Sequence, residues 1–315
     1  MRILITGSSG ILGKYLLDYL KDAALFDTDL LDFKKTQSVI KNVDSQVLIH
    51  LASQGNIDYC QKNKNAAYKT NVEASINLHQ NIKKNCKFIF ISSSNVYDGK
   101  LKSYSEDSPR NPINFYGETK KAFEDYLIQN SQNFAILRLT NLYGIPPKNY
   151  RNSFITSLFS ASENNATMTS SPLSRARFPF LKKDDISGSI HPQANARGFL
   201  ETAINAVNDR FTNFLYAKDA ANLIKEVAKM KNGNVVINFG GTEVLSFYNF
   251  AKKLTKSLDH KKIMIKPVKS EDFKNIAPRP QMLNLSNKRA FTLLKVKPLG
   301  FYDAMADIKK GLQKH

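Results

Sequence analysis

Over roughly the first 145 residues, short apolar runs alternate with amphipathic stretches. The runs at 2–6, 23–27, 46–52, 87–92 and 134–140 are rich in Ile, Leu, Val and Phe and show little apolar/polar alternation. Strands covered by helices on both faces have this pattern. Between them, residues 11–21 place Leu12, Tyr15, Leu16 and Tyr19 on one helical face, and residues 116–129 do the same with Tyr116, Phe123 and Leu127. Strand-helix repetition predicts an α/β fold, a doubly wound parallel sheet of Rossmann type.

The pattern changes after Gly144, where Pro146-Pro147 interrupts it. Residues 160–195 are rich in Ser, Asn, Pro and charge, and are expected to form an insertion or a loop covering substrate. Regular patterning then predicts a helix at 196–207, a strand at 214–217, a helix at 218–231 and a strand at 235–239. Helices near 246–257 and 286–294 follow, separated by Pro267 and the Ala-Pro-Arg-Pro run at 277–280. The expected division is a dinucleotide-binding domain at 1–150, completed by about 212–240, with 151–211 and 241–315 forming a smaller C-terminal substrate lobe. Substrate contacts are expected within 145–211.

Composition narrows the function classes. The 315 residues include 46 Lys and Arg against 27 Asp and Glu, a formal charge of +19 that draws phosphate-bearing ligands. These basic residues are dispersed, without a long basic block or a zinc-finger spacing, which argues against a nucleic-acid partner. No apolar stretch approaches the roughly 20 residues of a membrane span, and Met1 leads directly into a strand pattern, so a cytoplasmic protein without a membrane partner is expected. Cys60 and Cys86 lack a redox or disulfide spacing, and the five histidines lack a metal-ligand spacing.

Residues 6–13 read Thr-Gly-Ser-Ser-Gly-Ile-Leu-Gly, between the first strand and the first helix. Gly7 suits a tight turn, Gly10 lets backbone approach a pyrophosphate, and Gly13 brings the helix close to the strand. Ser9, Ile11 and Leu12 complete this loop, whose helix N-terminus favours negative charge. Asp27 lies 20 residues beyond Gly7, where a carboxylate can accept from an adenosine ribose and would repel a 2′-phosphate. NAD(H) is therefore favoured, with NADP(H) as the alternative. Asp32 and Phe33 could reach the adenine, and Leu51, Ala52 and Ser53 close the next strand on the cofactor side.

Tyr116 and Lys120 are four residues apart on a predicted helix, so they share a face. A free tyrosine titrates near about 10, and a neighbouring ammonium makes it a better proton-transfer group at neutral pH. Lys120 can also hold a nicotinamide ribose. The Ser92-Ser93-Ser94 run at a strand end supplies a hydroxyl for the reacting oxygen.

These motifs, in this order, resemble those of the extended short-chain dehydrogenases/reductases from Met1 to about Leu294. Ser-Ser-Ser-Asn-Val-Tyr-Asp-Gly at 92–99, Tyr-Ser-Glu-Asp-Ser-Pro at 104–109, Pro-Ile-Asn-Phe-Tyr-Gly-Glu-Thr-Lys at 112–120 and Arg279-Pro280 resemble the dTDP-4-dehydrorhamnose reductase branch most. The resemblance implies Ser93, Tyr116 and Lys120 as catalytic residues. It implies Asn71 as a helix asparagine beside the cofactor and Thr140 and Asn141 as ligand contacts. Ser94 and Asn95 become substrate neighbours, and Arg279 a partner for a nucleotide diphosphate. Dehydratases of this superfamily carry Asp-Glu where Ser94-Asn95 stand, which argues against dehydration. The implied function is reduction of a keto-deoxysugar nucleotide. A nucleotide-sugar 4-epimerase and a non-catalytic NAD(P)-binding regulatory or RNA-binding relative are the alternatives, and a homodimer stays open.

Overall fold

The computed structural model describes residues 1–147, 190–194, 200–231, 233–259, 263–273 and 276–313. Its centre is a six-stranded parallel sheet. In chain order its first half contains β1 (Ile3–Thr6), α1 (Ile11–Tyr19), β2 (Ala24–Phe26), α2 (Phe33–Asn42) and β3 (Val47–His50). Short helices α3 (Ile57–Lys62) and α4 (Lys64–Tyr68) run through a π-turn at Lys69–Glu73 into α5 (Ala74–Asn81). Then come β4 (Lys87–Ser93), α6 (Phe115–Asn130), β5 (Phe134–Leu139) and β6 (Leu142–Tyr143). The second half adds β7 (Ile190–Ala194), β8 (Leu200–Val207), β9 (Phe211–Thr212), β10 (Leu215–Tyr216), α7 (Ala217–Lys229) and β11 (Val235–Phe239). It ends with β12 (Leu245–Ser246), α8 (Phe247–Ser257), β13 (Ile263–Val268), β14 (Met282–Leu283), α9 (Lys288–Leu294) and α10 (Phe301–Leu312).

The sheet order is β11-β5-β4-β3-β1-β2, so the direction of winding reverses between β1 and β3. Alternate residues of the strands supply two apolar faces. Ile3, Ile5, Ile49, Ile89, Leu137 and Ile237 pack under α1 and α7, whereas Leu4, Leu48, Phe88, Phe90 and Ile136 pack under α2, α5 and α6. Both faces are covered, which explains the unalternating runs. Among the described residues, the C-terminal elements pack partly against the sheet, while Leu283 and Leu285 form a small separate cluster with Val96, Tyr97 and Tyr104. Ile204, Phe250, Leu254 and Ile263 join the same cluster as Ile5 and Leu16, through a Phe214–Phe250 stack with centroids 3.9 Å apart.

One expectation fails. Within the helix predicted at 196–207, residues 200–207 form β8, antiparallel to β7 and parallel to β13. Leu, Glu and Ala give that stretch helical propensity, but ladders on both sides override it, and β-branched Thr202, Ile204 and Val207 suit a strand. Residues 196–199 and most of the 160–195 loop lie outside the described residues.

A buried ion network fixes α6 on the sheet. The Glu124 side chain, 0% exposed, accepts from Ser92 Oγ on β4 at 2.5 Å and from Arg138 Nη2 on β5 at 2.7 Å. Arg110 Nη1 adds a third contact at 3.0 Å, and Arg138 Nη1 also donates to Tyr97 Oη at 2.7 Å. Removing one member of such a cluster strands the buried partner charge, at a cost of about 3–5 kcal/mol. Glu124→Ala is therefore expected to lose about that much unfolding free energy in urea titrations, and Glu124→Gln less, because it retains an acceptor for Ser92.

Candidate active site

The loops after β1 and β3 meet where the sheet reverses. Gly7 has φ +70°, and a Cβ there would strike the Ala52 backbone, so the two loops touch directly. A Cβ at Gly13 would run into the Ser8 backbone, which seats α1 against its own entry loop. At Gly10 the nearest atom to a Cβ would be the Gly7 carbonyl oxygen at 3.9 Å, so the space before α1 is open. Among the described residues no side chain caps α1, and its first amides lie at that space. Ile11 and Leu12 bury their side chains in the core, leaving their backbone for the loop, while Ser9 is exposed.

Underneath, Thr6 Oγ1 bonds His50 Nδ1 at 2.7 Å and His50 Nε2 bonds Ser75 Oγ at 2.8 Å. Burial pushes the His50 pKa down to about 3, so the ring is a neutral brace between β1, β3 and α5. Leu51, Ala52 and Ser53 are partly exposed above it. Asp27 is exposed at the C-terminal end of β2. Asp32 is engaged as the N-cap of α2, its Oδ1 accepting from Lys35 N at 3.0 Å, with Phe33 exposed beside it.

Beyond β4 the predicted catalytic residues converge. Ser93 ends the strand, 8% exposed, and its Oγ accepts from the backbone N and side-chain Nδ2 of Asn95, both at 3.2 Å. Ser94 is 1% exposed within the short turn Ser94–Val96. A Cβ at Gly117 would run into the Asn95 carbonyl, so glycine lets the N-terminus of α6 close on this turn. Asn114 caps α6, its Oδ1 accepting from Gly117 N at 2.9 Å, and Gln61 Oε1 accepts from Phe115 N at 3.0 Å. Tyr116 is partly exposed. Lys120 is buried, with Nζ 5.7 Å from the Tyr116 ring centroid, 4.8 Å from that of Phe90, and donating to the Ile91 carbonyl at 3.0 Å. Burial pulls its pKa down to about 8, against the pull of Cys60 and Glu124.

Asn71 is buried in the π-turn as a brace. Its Oδ1 accepts from Gln54 N at 2.7 Å, and its Nδ2 donates to the Gln54 carbonyl at 3.2 Å and Thr119 Oγ1 at 3.0 Å. It thus ties the loop after β3 to α6. Thr140 spends its hydroxyl on the Asn213 carbonyl at 2.6 Å, and Asn141 is exposed. Arg279 pairs with Asp58 at 2.9 Å and donates to the Ala277 carbonyl at 2.9 Å. Sequence reading missed its neighbour Arg210, which is 6% exposed and whose buried Nε meets no acceptor among the described residues. Burial and repulsion from Arg279 draw the Arg210 pKa down to about 10. Nothing in the chain marks it among 46 basic residues; only folding sets it beside a second guanidinium. Among the described residues, no group of three or more His, Cys, Asp or Glu could hold a metal ion, and no helix is long and apolar enough to cross a membrane.

Comparison with known proteins gives a consistent result. The family described as the RmlD substrate binding domain matches residues 1–170 and 195–313. The chain is 31% identical to methionine adenosyltransferase 2 subunit beta of Xenopus tropicalis, across 68% of this chain and 69% of that one. It is 23% identical to the dTDP-4-dehydrorhamnose reductase of Aggregatibacter actinomycetemcomitans, across 98% of both. The crystal structure of dTDP-4-dehydrorhamnose reductase from Bacillus anthracis in complex with NADP superposes with a TM-score of 0.79 at 22% identity, covering 98% of this chain and 99% of that one.

The Lys120 shift has a measurable sign. The unfolded chain keeps this proton up to the ordinary 10.5, whereas the folded chain releases it near 8. Between those values the unfolded state binds more protons, so this group makes stability rise with pH and lowers it as pH falls toward 8. Its share of the slope is expected to reach at most about 1.4 kcal/mol per pH unit. From pH 8 to 10 the urea midpoint of the parent should rise relative to that of Lys120→Met.

Proposed function

We propose, from the premise that the chain belongs to the RmlD substrate binding domain family, that it is an NAD(P)-dependent ketoreductase acting on a nucleotide-linked keto-deoxysugar. The observation that carries this reading is the assembly around the N-terminus of α6. There, Lys120 is buried beside the Tyr116 ring, and Ser93 is tied to Asn95 under the same helix end.

The residues fit a dinucleotide. The open space at Gly10 and the uncapped start of α1 suit a pyrophosphate, with Gly7, Ser9, Ile11, Leu12 and Gly13 forming the cradle. Asp27 suits the adenosine ribose, and Asp32 and Phe33 flank the adenine side. Leu51, Ala52 and Ser53 line the reversal point. Asn71 supports that loop through Gln54, and Thr140 stands at the end of β5. When bound, a dihydronicotinamide supplies the hydride. Tyr116 then gives a proton to the sugar oxygen and Ser93 donates a hydrogen bond to it, while the Lys120 ammonium favours the phenolate left behind. Ser94, Asn95 and Asn141 surround the sugar. Arg279 and Arg210 would meet the diphosphate, which offers an acceptor that Arg210 Nε lacks among the described residues.

A second reading has an observation of its own. Identity to the methionine adenosyltransferase subunit, 31%, exceeds the 23% to the reductase, though over a shorter span. That favours a cofactor-binding regulatory subunit without turnover. A panel of keto-sugar nucleotides with NADH or NADPH separates the two: loss of reduced-cofactor absorbance is expected. Redox-neutral interconversion at the sugar C4 would point to an epimerase, and no reaction with any substrate would favour the regulatory reading.

Two outcomes follow for the site. Tyr116→Phe keeps the ring and removes the proton-passing hydroxyl, so kcat is expected to fall about 10²–10⁴-fold with cofactor affinity nearly intact. Asp27 favours NAD(H) over NADP(H), by repulsion of a 2′-phosphate. Calorimetric titration with both should show tighter NAD(H) binding, a preference that Asp27→Ala narrows.

A further inference from the structure

We propose that Asn95 is a positioning residue that commits the Ser93 hydroxyl to donating its proton to the reacting sugar oxygen; this rests on the ketoreductase reading. The constraint starts at the helix. The Gly117 backbone N–H can only donate, and it does so to Asn114 Oδ1 at 2.9 Å, which turns the Asn114 Nδ2 outward. That nitrogen donates to the Pro278 carbonyl at 3.1 Å and to Asn95 Oδ1 at 3.2 Å. With its oxygen held there, Asn95 presents Nδ2 to Ser93 Oγ at 3.2 Å. The opposite amide orientation would set one NH₂ group against another.

The Asn95 backbone N–H donates to the same Ser93 Oγ, also at 3.2 Å. A serine hydroxyl has two acceptor lone pairs and one proton. Both lone pairs are engaged by Asn95, so the proton is the part left for a ligand. That suits a carbonyl oxygen, which accepts hydrogen bonds and gathers negative charge as hydride arrives. A donor aimed at such an oxygen contributes about 10²–10³ in kcat. The amide at position 95 is what matters. A carboxylate there could only accept, and would draw the Ser93 proton away from the substrate.

The test compares the parent with Asn95→Asp and Asn114→Asp in steady-state reduction of the keto-sugar nucleotide that the parent turns over. Melting temperatures and calorimetric cofactor affinity accompany it. Asn95→Asp is expected to lose about 10²-fold in kcat at neutral pH with cofactor affinity unchanged. Its activity relative to the parent should recover as pH falls toward about 4, because a protonated carboxyl can donate again. Asn114→Asp keeps the helix-capping acceptor but loses Nδ2, so the Asn95 amide turns and offers Ser93 its oxygen. That variant also loses the Pro278 contact, so it should melt below the parent; it should lose kcat with cofactor affinity kept, and recover in acid as a protonated carboxyl at 114 again donates to Asn95 Oδ1. Parental kcat in Asn95→Asp at all pH values overturns the proposal and leaves the reductase reading standing. Loss at every pH in Asn95→Asp, with full activity in Asn114→Asp, also overturns it. A parent that reduces no keto-sugar nucleotide overturns the reductase reading and this proposal with it.

Discussion

The Glu124 carboxylate is the constraint on which the site geometry depends. A fully buried anion is tolerated only when its lone pairs are matched, and here Ser92, Arg110 and Arg138 match them from a loop and two strands. Glu124 lies one helical turn beyond Lys120 on α6, and Ser92 immediately precedes Ser93. One ion cluster therefore sets the helix that carries Tyr116 and Lys120 at a fixed height over the strand that carries Ser93. It also helps keep a proton on the buried Lys120 against the effect of desolvation.

At the other end of α6 the constraints are neutral. Gly117 allows contact with the turn after β4, Asn114 caps the helix, and Gln61 takes the Phe115 amide that would otherwise lack a partner. The helix is thus held by charge in the interior and by amides at its mouth. This division places the low-dielectric, charge-sensitive part behind the chemistry and leaves donors and acceptors of defined direction in front of it.

Much of this was legible in the sequence because it is local. Strands buried on both faces, a glycine loop between strand and helix, and an i,i+4 Tyr-Lys pair each show within a dozen residues, and the RmlD match agrees with the branch they suggested. Residues 200–207 were misread because their state is decided by β13, some 60 residues away. Glu124 and Arg210 gave no signal for the same reason: their significance lies in what folding brings beside them. Asp32 was singled out for adenine, but its nearer duty is capping α2. The 145–211 segment, expected to hold substrate contacts, lies largely outside the described residues.

The Pro278 carbonyl that receives Asn114 Nδ2 comes 164 residues later in the chain. The neighbouring Ala277 amide likewise donates to Asp58 at 3.0 Å, across 219 residues. A ribosome makes the N-terminal part first, so a nascent chain holds Ser93, Tyr116 and Lys120 long before the segment that meets the start of their helix exists. The site is finished only when nearly the whole chain has emerged. A fragment released early would carry Ser93, Tyr116 and Lys120 and still lack the contacts from Ala277 and Pro278. The order of synthesis thus delays closure over the start of this helix until the segment around Pro278 has been made.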